Sequence, residues 1–211
     1  MTGPEVSQRA GTVGVVTEML LVRHGQSEWN ALGRWQGNAD PALTDLGRLQ
    51  AVHASTRVGS VDVIVASPLI RALETAQLIS GQIGVGPVVV DAGLAERDAG
   101  EWEGLTRAEI EQGWPGYLST EQRPPGYEPH DALIQRARAA LDRIHAEYDG
   151  ADVLVVTHGG LIGAVERDGG HPWERMPNLG GRRVTHHGDR LSVGERLVLV
   201  DDDELTIPTQ I

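Results

Sequence analysis

Two apolar runs in this chain each stop at a histidine followed by glycine. Met19 to Val22 runs into Arg23-His24-Gly25, and Val153 to Val156 runs into Thr157-His158-Gly159-Gly160. An imidazole carries protons and can act as a nucleophile near neutral pH, and α/β proteins place ligands at the carboxyl ends of their strands. The repeated strand-to-His-Gly junction therefore points to two imidazoles converging on one sheet end. Gly25 lets the backbone approach a ligand closely, and Ser27 or Asn30 can cap the next segment or hydrogen-bond an oxyanion. Arg71 falls in the first turn of a helix predicted to start with Ser67 as cap and Pro68 near its first position. A cation there opposes the helix dipole, and a nearby anion would offset that cost. Between Asp91 and Glu103 five acids crowd a glycine-punctuated loop, a setting suited to proton donation.

Composition narrows the chemistry. With no cysteine there is no thiol nucleophile, disulfide or thiolate metal site. All 18 basic residues are arginine, so any anion site here is built from guanidinium groups, which grip phosphate bidentately. The formal net charge of −12 argues against a nucleic acid or an anionic membrane as partner. The apolar runs are far shorter than a bilayer span, and the first 18 residues lack an Arg-led apolar leader with a small-residue cleavage site. The expected location is the cytoplasm. A length of 211 residues fits one domain. We expect a loose tail over 1–18 and a single catalytic domain over 19–211, with an irregular, proline-rich flap at about 101–130.

The elements that must position these residues follow from periodicity. Strands are predicted over 19–22, 61–65, 88–90, 153–156 and 197–200, the first four short and apolar as in a buried sheet. Helices are predicted from Thr44 as cap to about Arg57, after Ser67-Pro68, and over 106–112 with a Thr106/Glu109 capping box. Two more are predicted over 131–148 and from 161 to about 167. Leu133, Ala137, Ala140, Leu141, Ile144 and Tyr148 line one face of 131–148. Residues 169–188 read as loop. Alternating strands and helices predict a three-layer α/β/α sandwich with a mostly parallel sheet.

In this order the motifs resemble the histidine phosphatase superfamily, or phosphoglycerate mutase-like proteins. The resemblance rests on Arg23-His24-Gly25 with Trp29-Asn30, on Ser67-Pro68-Leu69-Ile70-Arg71-Ala72 with Thr75-Ala76, on Glu96 with Gly100-Glu101-Trp102-Glu103-Gly104, and on Thr157-His158-Gly159-Gly160. These blocks span about 140 residues. The resemblance implies a metal-independent phosphatase of small phosphorylated metabolites, in which His24 attacks phosphorus and becomes phosphohistidine. Arg23, Arg71, Asn30 and His158 would hold the non-bridging oxygens, His158 as a cationic or donor clamp, and Glu96 would protonate the leaving oxygen. Gln36, Arg107 and Gly159 are further candidates for substrate contact. His24 is expected to donate its other N–H to a backbone carbonyl such as that of Gly25.

Two other readings stand beside this one. A cofactor-dependent phosphoglycerate mutase would need a closed pocket and a strong grip on the substrate carboxylate, and the 62-residue step from Glu96 to His158 is short for that and carries no adjacent arginine pair. A catalytically silent phospho-ligand module would be expected to have lost the nucleophile or the acid. No metal or cofactor is expected, the histidines at 171, 186 and 187 with Asp189 being a chance cluster. The expected partner is the phosphorylated substrate, and a homodimer is left open. Substrate choice is expected on the loops over 34–38 and 107–127, through Trp35, Arg107, Trp114 and Tyr117.

Overall fold

The computed structural model of the chain describes residues 15–120 and 122–209. Its six strands form one sheet in the order β3-β2-β4-β1-β5-β6. At the centre β1 (Thr17–Arg23) lies parallel to β4 (Asp152–Thr157), with Arg23 opposite Thr157. Because the registers end together, His24 and His158 leave the sheet side by side. β2 (Val63–Ala66) is parallel to β4 on its other flank, and β3 (Val89–Val90) closes that edge.

Side chains alternate across a strand, and β1 is apolar on both faces. Met19 and Leu21 pack with α5 (His130–Glu147) and α6 (Gly159–Asp168). The short helix α1 (Glu28–Ala31) follows the turn after β1, and Leu20 and Val22 pack on the opposite face of the sheet with α2 (Asp45–Ala54) and α3 (Ile70–Ile83). The result is the expected three layers. Each fully buried Leu, Val or Ile contributes roughly 1.5–3 kcal/mol of transfer free energy to this core. The expected caps form on α2, where Thr44 Oγ1 accepts the Gly47 N–H at 3.0 Å, and on α4 (Arg107–Gly113), where Thr106 and Glu109 make the capping box.

Several expectations need correction. The stretch read as loop over 169–188 contains β5 (Gly180–His186), which pairs antiparallel with β1 on one side and with β6 (Leu191–Val198) on the other. β5 hid from periodicity because it opens with two glycines and two arginines. At Gly181 a Cβ would lie 2.9 Å from the Leu21 carbonyl oxygen, so a close approach to β1 takes the place of an apolar signature. The last strand likewise starts earlier than the expected 197–200, while Leu199 and Val200 are buried beyond its end. The expected tail falls mostly outside the described residues, but Thr17 and Glu18 already belong to β1. Ser67 is not a helix cap: α3 is preceded by Leu69, with no side-chain cap bond. Among the described residues no helix is long and apolar enough to cross a membrane.

Candidate active site

The end of β1 delivers two charged or ionisable groups into the protein interior, since Arg23 and His24 are 2% and 1% exposed. His24 Nδ1 lies 2.7 Å from the Gly25 carbonyl oxygen, and Arg71 Nε lies 3.2 Å from His24 Nε2. A carbonyl oxygen only accepts and a guanidinium only donates. The tautomer is therefore fixed: Nδ1 carries the hydrogen and Nε2 keeps its lone pair. Burial, seconded by Arg71 and then Arg23, pushes the His24 pKa well below its ordinary value, so the ring is neutral at pH 7.

Around this lone pair stand donors with no hydrogen-bond partner among the described residues: Arg23 Nε, Asn30 Nδ2 and His158 Nδ1. Buried donors left this way cost about 1–3 kcal/mol each unless something accepts from them. Their orientation is built. Asn30 Oδ1 accepts the Ser27 N–H at 3.3 Å and the amide of Asn178 at 3.0 Å, which turns Asn30 Nδ2 away as the unused donor. Asn178 also donates to the His24 carbonyl at 2.9 Å and accepts from Thr206 Oγ1. The sequence reading missed Asn178, which lies in the stretch mistaken for loop and has no motif around it.

Ser67 was also misassigned. Its Oγ accepts the Leu69 N–H and sits 2.7 Å from His158 Nε2, so a hydroxyl donating to Nε2 leaves Nδ1 as the N–H donor. The cationic reading of His158 is corrected here: burial first, then the nearby Arg71, lowers its pKa well below the ordinary value. It serves as a neutral donor. The two imidazole centroids are 5.2 Å apart.

Arg71 is fully buried and donates to the Gly37 and Ala39 carbonyls as well as to His24. Burial lowers both Arg23 and Arg71 to about 10, which leaves each charged at neutral pH. Two guanidinium groups and a neutral imidazole give the site a net positive charge. Glu96 faces it from the loop after β3 at 8% exposure, its oxygens accepting the Arg97 N–H at 2.7 Å and the Gly160 N–H at 3.0 Å. Gly159 lets Arg23 lie over the start of α6, since a Cβ there would come within 3.2 Å of Nη1. Gln36 is buried and accepts from Ser27 Oγ at 2.6 Å.

A cavity of about 420 Å³ opens beyond Gly160. Trp35 and Arg107 line it as expected, but Trp102, Tyr127 and Trp173 replace Trp114 and Tyr117 as its aromatic wall. Trp35 and Trp102 meet edge to face at 5.2 Å, and Arg97 and Arg123 each lie 5.5 Å from the Tyr127 ring. A second cavity, about 370 Å³, reaches Glu96 past Asn38, Asp98, Glu128 and Arg136. The histidines of the presumed chance cluster go separate ways: His186 to Asp142, His187 to Ser192 and His171 to the Val193 carbonyl. No group of three or more metal-ligating side chains occurs among the described residues.

The model of the histidine phosphatase superfamily (branch 1) matches residues 19–187. A bifunctional protein of Mycobacterium tuberculosis is 40% identical over 156 residues, covering 70% of this chain but 43% of its own length, so the chain spans less than half of that relative. A metal-independent phosphoserine phosphatase of Arabidopsis thaliana is 36% identical over 71% of this chain and 67% of its own. Among solved structures, a mycobacterial glucosyl-3-phosphoglycerate phosphatase in complex with VO3 superposes with a TM-score of 0.76 at 30% identity, covering 84% of this chain and 97% of that one.

Proposed function

This chain belongs to the histidine phosphatase superfamily, branch 1, and from that premise we propose that it is a metal-independent phosphatase of small phosphorylated metabolites. The observation that carries the reading is the His24 Nε2 lone pair set among buried, unpartnered donors. Nε2 attacks phosphorus, a P–N bond forms, and the ester P–O bond breaks with the leaving oxygen taking a proton from Glu96. Water then attacks the phosphohistidine and gives its proton to Glu96, the P–N bond breaks, and inorganic phosphate departs. Arg23, Arg71, Asn30 and His158 spread charge over the non-bridging oxygens, which is most of what a protein contributes to a loose phosphoryl transition state. Gln36 and Gly159 border the same place as substrate contacts, and Arg107 faces the leaving group.

Hydrolysis is favoured over mutase chemistry by the polar cavity that reaches Glu96 beside Asp98 and Glu128, a route for water. A mutase has to exclude that water. The purified protein is expected to release phosphate from p-nitrophenyl phosphate in excess EDTA, and loss of turnover on chelation contradicts the metal-free reading. His24→Ala is expected to remove about 5 kcal/mol or more of transition-state stabilisation, on the order of 10⁴-fold in kcat/KM. With 3-phosphoglycerate as substrate, isomer formation without phosphate release would assign the chain to the mutases instead.

A further inference from the structure

The donor that Asn30 presents to the phosphoryl site stands at the end of a line of hydrogen bonds that begins on α2 and passes through the segment after β6. Gln50 is fully buried on α2, and its Oε1 accepts the Gln26 N–H at 2.8 Å. A backbone N–H only donates, so this carboxamide has one orientation, with Nε2 on its far side as the donor. Gln50 Nε2 donates to the Glu204 carbonyl at 2.6 Å and to Thr206 Oγ1 at 3.0 Å. With Thr206 Oγ1 accepting there, its own proton goes to Asn178 Oδ1, 2.9 Å away. Asn178 Nδ2 spends its two hydrogens on the His24 carbonyl at 2.9 Å and on Asn30 Oδ1 at 3.0 Å. That leaves Asn30 Nδ2, the last donor of the line, buried and without a partner among the described residues.

Resting on the phosphatase reading, we propose that Thr206 is a positioning residue for phosphoryl transfer: its hydroxyl, oriented by Gln50, fixes the Asn178 carboxamide and through it the Asn30 donor and the His24 backbone. A buried carboxamide bonded at both ends has no second orientation, whereas one bonded only through Nδ2 keeps an unpaired buried acceptor and freedom to shift. The segment that carries Thr206 is held where this requires. Asn178 N–H donates to the Thr206 carbonyl at 2.9 Å, so the two residues meet at two points, and His53 Nδ1 on α2 lies 2.6 Å from Glu204 Oε1. Displacing a group that aligns the transition state by about 1 Å can cost on the order of 100-fold in rate, which gives a hydroxyl two bonds away from Asn30 leverage on the reaction. Thr206 lies 28 residues beyond Asn178 in the chain and touches none of the reacting atoms itself.

The test uses the full chain, with p-nitrophenyl phosphate as substrate and orthovanadate as a ligand whose binding needs no turnover. Thr206→Val keeps the branched shape and deletes the hydroxyl. It is expected to lower kcat about fivefold with KM within about twofold, and Thr206→Ser, which retains the hydroxyl, is expected to restore most of kcat. The loss has to run through Asn30: in an Asn30→Ala background, where no donor is left to aim, Thr206→Val is expected to change kcat by less than about twofold. Full kcat in Thr206→Val, whether or not its melting temperature falls, or the same fold loss with and without Asn30, overturns the proposal. If the wild type releases no phosphate, the phosphatase reading fails by itself and the orthovanadate Kd decides on Thr206. A Kd raised about fivefold by Thr206→Val, but not in the Asn30→Ala background, supports the positioning role. An unchanged Kd, or no binding to the wild type, overturns it.

Discussion

His24 is a nucleophile only while Nε2 keeps its lone pair, and that condition is set by the Gly25 carbonyl at Nδ1 and by the burial of the ring beside the charges of Arg71 and Arg23. A neutral ring below pH 6.5 has two consequences. The acid limb of kcat/KM that reports His24 protonation is expected to lie below pH 6.5, and a midpoint above 7 would contradict the assignment. Stability follows the same proton. Unfolded histidines bind protons as pH falls through about 6.5, while buried His24 and His158 do not until well below, so the unfolded state gains protons first and the fold weakens. The contribution is fully present above pH 6.5 and is lost from there downward at up to about 1.4 kcal/mol per pH unit for each histidine. Denaturant midpoints between pH 7.5 and 5.5 measure it, and His158→Asn should flatten the slope by about one proton. Asn178 is the other residue whose role is positional. Asn178→Ala frees the Asn30 amide and the His24 carbonyl, so kcat is expected to fall more than KM rises, with about 1–3 kcal/mol lost in stability. A stability loss with kinetics unchanged would reduce Asn178 to scaffold.

At the scale of elements, the turn after β1 is fitted against the first turn of α2. A Cβ at Gly25 would lie 2.4 Å from the Gly47 carbonyl oxygen, and one at Gly47 would lie 2.0 Å from that of Gln26. Glycine within a helix usually costs about 1 kcal/mol relative to alanine, so Gly→Ala in α2 should stabilise on propensity alone. Here contact decides the sign. Gly47→Ala is expected to destabilise by at least about 1–3 kcal/mol and to lower kcat/KM by moving the Arg23-His24-Gly25 turn. A raised melting temperature with full activity would show that the two backbones can separate freely. The N-terminal side of α3 is organised for the site as well: Ser67 gives up the capping role its type predicts and holds His158 instead.

Across the whole molecule, the antiparallel pair β5–β6 is fastened to α6 by one buried carboxylate. Glu166 is 1% exposed and receives Arg196 Nε at 2.7 Å, with Arg182 at 3.6 Å. Removing one partner of a buried pair strands the other charges, so Glu166→Ala is expected to cost about 3–5 kcal/mol in denaturant unfolding. A loss within ~1 kcal/mol would mean that water reaches the arginines. Because Asn178 lies two residues before β5 begins, this fastening also bears on the site, and the variant should lose activity along with stability.

The elements with a period or a punctuation mark were legible in the sequence alone. Apolar β1 and β4 ending in His-Gly, the Thr44 and Thr106 caps, and the buried face of α5 all express local rules that hold wherever such residues fall. The motif residues Arg23, His24, Arg71, Glu96 and His158 were legible too, since each sits at an element end or a turn that its neighbours mark, and the fold brings all five together. What only the tertiary structure decided depends on pairing across long separations. β5 is a strand because β1 accepts it in antiparallel register, and its glycines and arginines carry no period that could announce this. Ser67 turns from cap to histidine partner because β2 and β4 end beside each other, 91 residues apart in the chain. The arginines that line the cavity beyond Gly160 are scattered from 97 to 175 in the sequence, and only packing brings them to one wall.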